Sequence, residues 1–197
     1  MSDDENYKRW ARILEPKALK ERVISYSIFI ASFELLKDVV IGKLERFYLS
    51  FGNEDEFAEY KKKVLDRNKS RLYASISWLT ENNALEQSDI EAFERLKNIR
   101  NKLSHEMFNL IPEADLLNVT DEINTIISLT RKIELWWFYN LDMTIDPDSY
   151  PADLDLNEVM PMTVLLLQVM CEVALGDEQA AHNMFVEFTC NYKRHHT

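Results

Sequence analysis

The chain of 197 residues is long enough for one domain with a sizeable core, and its 46% hydrophobic and 29% charged residues are those of a globular protein. Three Gly and five Pro are too few for a turn-rich β architecture, and two cysteines, Cys171 and Cys190, exclude a disulfide framework and read as buried thiols of a reducing compartment. The net charge of −11 argues against general nucleic-acid binding, yet it is uneven: residues 142–197 hold ten acidic and two basic side chains, residues 1–141 hold 24 and 21.

Taken in chain order, the first predicted element is a long helix over residues 17–50. Pro16 stands near its first turn, where a missing N–H costs little. Ile24, Ile28, Ala31, Leu35 and Val39 recur at helical spacing, and Gly52-Asn53 ends it. A second helical region over residues 54–82 carries Phe57, Val64, Leu72, Ile76 and Leu79 on its apolar side, and Asn82-Asn83 makes a turn. Ser88 and Glu91 have the spacing of a capping box, in which each side chain satisfies the other's exposed backbone N–H. They start a third helix that reaches His105 or slightly beyond, before a break at Pro112. A fourth helix is predicted over residues 120–140, capped by Thr120 or Asn118 and ending in the aromatic cluster Trp136-Trp137-Phe138-Tyr139, which reads as core or subunit interface. Residues 142–157 form an acidic linker with Pro147 and Pro151. Two further helices, over 156–175 and 177–192, are separated by Gly176, and the first is apolar nearly all round, the pattern of a buried helix. The N-terminal residues are polar and acidic, and no apolar run has the length of a membrane span. A cytoplasmic protein with no membrane association is expected.

Two basic stretches stand out. Residues 61–71 carry Lys61, Lys62, Lys63, Arg67, Lys69 and Arg71 against Asp66 alone, and residues 95–102 carry Arg95, Lys97, Arg100 and Lys102 with no acid. Such stretches are usually solvated helix faces, but they leave room for a local phosphate-binding surface. On the third helix, at about 100° per residue, Phe93, Leu96, Ile99, Leu103 and Met107 share an arc of about 120° that is the core face. Arg100 falls inside this arc. A guanidinium there must pair with an acid or look into an enclosed polar site, because an isolated buried charge is costly. Glu94, Asn98, Asn101 and His105 make a separate polar stripe, with Asn101 and His105 one turn apart.

These groups suit phosphate-ester chemistry. An imidazole, with an ordinary pKa of about 6.5, exchanges a proton near neutrality. Arginine forks onto a phosphate and stabilises the charge that builds on it. Asparagine can orient the His or bond to the substrate. One such set is incomplete, because cleavage of RNA through its own 2′-hydroxyl gains from both a base and an acid, and a symmetry mate could supply the second. The structural alternative is an Arg100 in an ion pair and a His105 at the helix C-terminus, where a cation is favoured.

The segment Arg100-Asn101-Lys102-Leu103-Ser104-His105, near the C-terminal end of a helix, resembles the Arg-x4-6-His motif of HEPN domains (higher eukaryotes and prokaryotes nucleotide-binding). The resemblance covers roughly residues 20–140. It implies an all-α, antiparallel helical bundle that dimerises face to face, and active members resemble metal-independent ribonucleases, many of them toxins or anti-phage effectors. Carried over by position, Arg100 would be the phosphate-stabilising residue, Asn101 its polar neighbour and His105 the catalytic histidine, with Lys102, Lys97 and Arg95 as phosphate contacts. In some toxin members a Tyr two residues after the His is modified by a partner nucleotidyltransferase; Met107 stands there in this chain.

The expected organisation is therefore a HEPN-like bundle over residues 1–141, an acidic linker over 142–157, and a C-terminal helical hairpin over 158–197 packed on the bundle. The expected function is a homodimeric, metal-independent endoribonuclease of the toxin or phage-defence kind, with RNA as partner, a possible regulatory or antitoxin partner protein, and neither cofactor nor metal. Two other readings are a non-catalytic HEPN-like interaction or regulatory module, and an acidic antitoxin or immunity-type protein that binds a basic partner.

Overall fold

A computed structural model describes residues 4, 7, 10–11, 14–50, 52–110 (side chains to 105), 119–151, 154–176, 179–180 and 182–187, and among these the architecture is all-helical, with no strand. Helix α1 (Pro16–Tyr48) begins with Pro16 at its first turn, where the Glu15 carboxylate accepts from the N–H groups of Lys17 (3.1 Å) and Ala18 (2.6 Å). At 33 residues it extends about 50 Å at 1.5 Å per residue. Its most deeply buried stripe is Tyr26, Phe29, Phe33, Leu36, Val40 and Leu44. The predicted stripe is offset from this one: Val39 is buried, Ile24, Ile28 and Leu35 are half-buried and Ala31 is exposed. Packing explains the difference, since α1 is the central element and is flanked on several sides.

Gly52 follows at φ +68°, a left-handed conformation that an L side chain adopts only with strain. Among the described residues no atom beyond its chain neighbours lies within 4 Å of the position of an added Cβ, so Gly52→Ala tests backbone conformation. It is expected to cost about 1–2 kcal/mol, read as a lower urea midpoint at unchanged slope.

Helix α2 (Glu54–Lys63) starts at Asn53, whose side chain accepts from Glu56 N–H (2.9 Å) while the Glu56 carboxylate accepts from Gly52 N–H (2.8 Å). The helical region predicted over residues 54–82 resolves into two helices. Val64 is fully buried, a 3-10 turn covers Leu65–Arg67, and the Asn68 side chain accepts from Ser70 N–H (2.9 Å) before α3 (Arg71–Glu81) begins. This local side-chain bond competes with helical pairing and breaks the run. Tyr60 is the buried residue of α2, and Phe57 is exposed rather than on the core side. At the end of α3 Asn83 takes φ 59°, and Ala84 N–H donates back to the Leu79 carbonyl (2.8 Å), closing the helix as a left-handed cap.

Helix α4 (Gln87–Leu110) starts ahead of Ser88. The carboxylate that accepts a cap bond is Asp89, from Glu86 N–H (2.7 Å), in place of the predicted Ser88–Glu91 exchange. Lys132 of α5 (Thr120–Trp137) bonds to Asp89 (2.6 Å) and Glu86 (2.9 Å) and ties the two helices at this end. Burial works against the charged Lys132, but these two acids outweigh it and raise its pKa. Val119 precedes α5 and is buried; Pro112 and Asn118 lie outside the described residues. The helix does not stop at Asn140 but passes into a π-helical turn, Phe138–Asp142. Trp137 stacks on Trp78 of α3 (5.7 Å between ring centroids, 3° between planes), with Trp136 edge-on to both.

Helix α6 (Met162–Leu175) packs on α1 and α5. Leu167 joins the common core, and Thr163 donates to the buried carboxylate of Glu134 (3.0 Å), which also pairs with Lys43 of α1 (2.6 Å). The all-round apolar pattern predicts a buried helix, but only Val164 and Leu167 are buried. Leu166, Val173 and Leu175 are exposed because packing covers one side of the helix. Residues 179–180 and 182–187 are helical.

Candidate functional site

Helix α4 turns its apolar arc inward: Phe93, Leu96 and Leu103 are buried, Ile99 packs against the same core, and the side chain of Met107 lies outside the described residues. Asn101 is half-buried and His105 exposed on the outward stripe. His105 is five residues short of the end of α4, so it does not occupy the C-terminal turn that a purely structural role would use.

Arg100 meets the first of the two alternatives that its inward position leaves, an acid partner. Its Nη2 pairs with the Glu34 carboxylate of α1, and its Nη1 donates to Asn101 Oδ1 at 3.4 Å, a long bond. Its Nε is buried, with no hydrogen-bond partner among the described residues. About 30% of the side chain is exposed, so the guanidinium reaches from the core arc to solvent. By helical geometry the Cβ directions of Arg100 and His105 differ by about 140° around the axis, and Asn101 lies between them. The Arg–Asn contact is therefore the physical link between the guanidinium and the histidine stripe.

Glu34 also holds Lys37 one turn away. Burial pushes the Glu34 carboxyl upward, but bonds from Lys37 and Arg100 outweigh it and leave its pKa below the ordinary value. A depressed carboxyl stabilises the fold at neutral pH and loses that contribution as pH falls below its ordinary value of about 4.3. Glu34→Gln should accordingly narrow its stability difference from the parent chain below that pH, as read from urea midpoints at a series of pH values.

The phosphate-contact candidates do not converge. Lys102 is exposed. Lys97 donates to the Tyr73 hydroxyl and lies 4.3 Å from that ring's centroid, facing α3. The Arg95 Nε donates to both carboxylate oxygens of Glu122 of α5 (3.1 Å to each). The basic stretch of residues 61–71 is largely neutralised as well: Lys61 pairs with Asp66, Lys63 with Glu59, Arg67 with Glu81 and Arg71 with Glu45. Glu34, Lys37 and Tyr73 were not among the candidates. Glu34 had a signal, being an acid within the apolar run Phe33-Glu34-Leu35-Leu36 and a natural partner for an arginine on a core arc. Tyr73 had none.

Among the described residues, surface grooves of about 420, 340 and 310 Å³ lie around α6, two of them also against α1, and none of these is lined by Arg100, Asn101 or His105. Among the described residues no His, Cys, Asp and Glu side chains cluster in a way that could hold a metal ion, and no helix is long and apolar enough to cross a membrane. Cys171 is half-buried with a free thiol whose pKa is raised by burial; Cys190 lies outside the described residues. No protein-family model, no characterised protein and no solved structure matches the chain.

Proposed function

We propose that this chain is a HEPN-type, metal-independent endoribonuclease of the toxin or phage-defence kind, acting as a homodimer whose two α4 helices share one composite site. The observation that carries this reading is the outward stripe of α4. Exposed His105 lies one turn from Asn101, which in turn contacts a half-exposed Arg100. An exposed imidazole is open to a substrate and to a second copy. One His105 takes the proton of the RNA 2′-hydroxyl, which attacks the adjacent phosphorus. The other gives a proton to the departing 5′-oxygen, leaving a cyclic phosphate and a 5′-hydroxyl end. Arg100 and Lys102 stabilise the charge on the phosphate, Arg100 by exchanging its bond to Glu34 for one to a phosphate oxygen.

The test is incubation of the purified chain with several RNAs in the presence of chelator. Cleavage with cyclic-phosphate ends, lost in His105→Ala, supports the reading; absence of any cleavage that depends on His105 defeats it. The Arg100–Glu34 pair favours a second reading, a non-catalytic HEPN-like interaction or regulatory module in which that ion pair ties α4 to α1. In that case the dimer forms without cleavage, and Arg100→Ala lowers stability only.

A further inference from the structure

The segment after α5 carries a surface that the ribonuclease reading does not use. Residues 142–187 contain ten Asp and Glu and no Lys or Arg. Within this acidic stretch α6 leaves apolar side chains in water: Met162 is 62% exposed and Val173 69%, and beyond it Phe185 is 60% exposed. A groove of about 420 Å³ runs between the segment before α6, α6 itself and the final described helical residues, with Met160, Met162, Leu165 and Met184 on its walls and the carboxylates of Glu158 and Glu187 at its rim. An apolar groove open to solvent is a candidate interaction site, and methionines let a groove adapt to what enters it. Among the described residues no Lys or Arg lines this groove; Lys43 and Arg46 line other grooves of α6, and Lys43 is already paired with Glu134.

We infer that this groove docks an amphipathic helix with a basic polar face from a partner protein. The apolar floor accepts one face of such a helix, and the carboxylates of Glu158 and Glu187, which have no cation partner among the described residues, select lysine or arginine on its flanks. The same charge pattern disfavours the other occupants. A second copy would set one acidic segment against another, and an anionic lipid surface or a nucleic acid would meet Glu158 and Glu187 and no cation among the described lining residues. This inference concerns a different face from α4 and stands whether or not the chain cleaves RNA.

The experiment uses the full chain and a fluorescent Leu/Lys peptide of about 18 residues designed as an amphipathic helix, titrated by anisotropy, with two controls: a scrambled peptide of the same composition and an amphipathic Leu/Glu peptide. The Leu/Lys peptide is expected to bind, and the controls are expected to bind at least about tenfold more weakly, a difference of roughly 1.4 kcal/mol. Two variants separate the forces. Met162→Asp removes apolar surface, keeps the acidic character and places an acid at a helix N-terminus, where it is tolerated. Glu158→Lys with Glu187→Lys reverses the rim. Each is expected to weaken the peptide by about tenfold or more with an unchanged circular dichroism spectrum. Equal binding of the scrambled peptide overturns the proposal, as does absence of Leu/Lys binding. So does adsorption to phosphatidylserine vesicles in place of the peptide, or self-association in sedimentation that Met162→Asp abolishes.

Discussion

His105→Ala is expected to lower RNA cleavage by about 10²- to 10⁴-fold, the usual contribution of a positioned general acid or base. His105 is exposed on the outward stripe of α4 and no hydrogen bond or ion pair holds it among the described residues. Its removal should therefore leave the urea midpoint within about 0.5 kcal/mol of the parent. Separating rate from stability distinguishes a catalytic His105 from a structural one. A composite site makes a stronger demand. Mixing the parent chain with an excess of His105→Ala chain should lower activity in proportion to the square of the parent fraction if each copy contributes a histidine to one cleft, because a mixed dimer then has only one of the two histidines. Activity that falls only in direct proportion to the parent fraction, with both chains folded and exchanging in the dimer, would show that the two copies do not share groups.

Phe33→Ala is expected to destabilise the fold by about 3–5 kcal/mol, the range for truncating a buried phenylalanine. Phe33 is 2% exposed and packs on Phe93 of α4 at 5.4 Å between ring centroids. The loss combines apolar area with a cavity that the neighbouring helices close only in part. At this chain length each kcal/mol lowers the melting temperature by about 2–4 °C, so a fall of roughly 6–20 °C should appear in thermal unfolding. Phe33 adjoins Glu34, and the Phe33–Phe93 contact sets the spacing of α1 and α4 across which Glu34 reaches Arg100. Phe33→Leu should recover most of the stability. A small effect of Phe33→Ala would mean that the α1–α4 seam is held elsewhere.

Much of the candidate site was legible in the order of residues. The 3.6-residue period placed Phe93, Leu96 and Leu103 inward and the Asn101–His105 stripe outward, and it marked Arg100 as a charge in the wrong arc that must find a partner. The identity of that partner was not legible. Glu34 stands 66 positions away, and the meeting of two helices so far apart in the chain is decided by packing, to which local periodicity is blind. The same blindness explains Lys97, whose contact with Tyr73 depends on how α3 lies beside α4, and Phe57, whose helical spacing says nothing about whether a neighbour covers it.

The linear chain by itself determined that the protein is helical, where α1, α2 and α5 begin, and which face of α4 is wet. These are local matters, governed by apolar period, caps and the scarcity of glycine. Only the tertiary structure decided which stripe of α1 is deepest, that the Arg100 charge is held by Glu34, and that α6 buries one side and offers the other to solvent. Burial belongs to pairs of elements and not to single ones, because an apolar face leaves water only where another surface arrives to meet it.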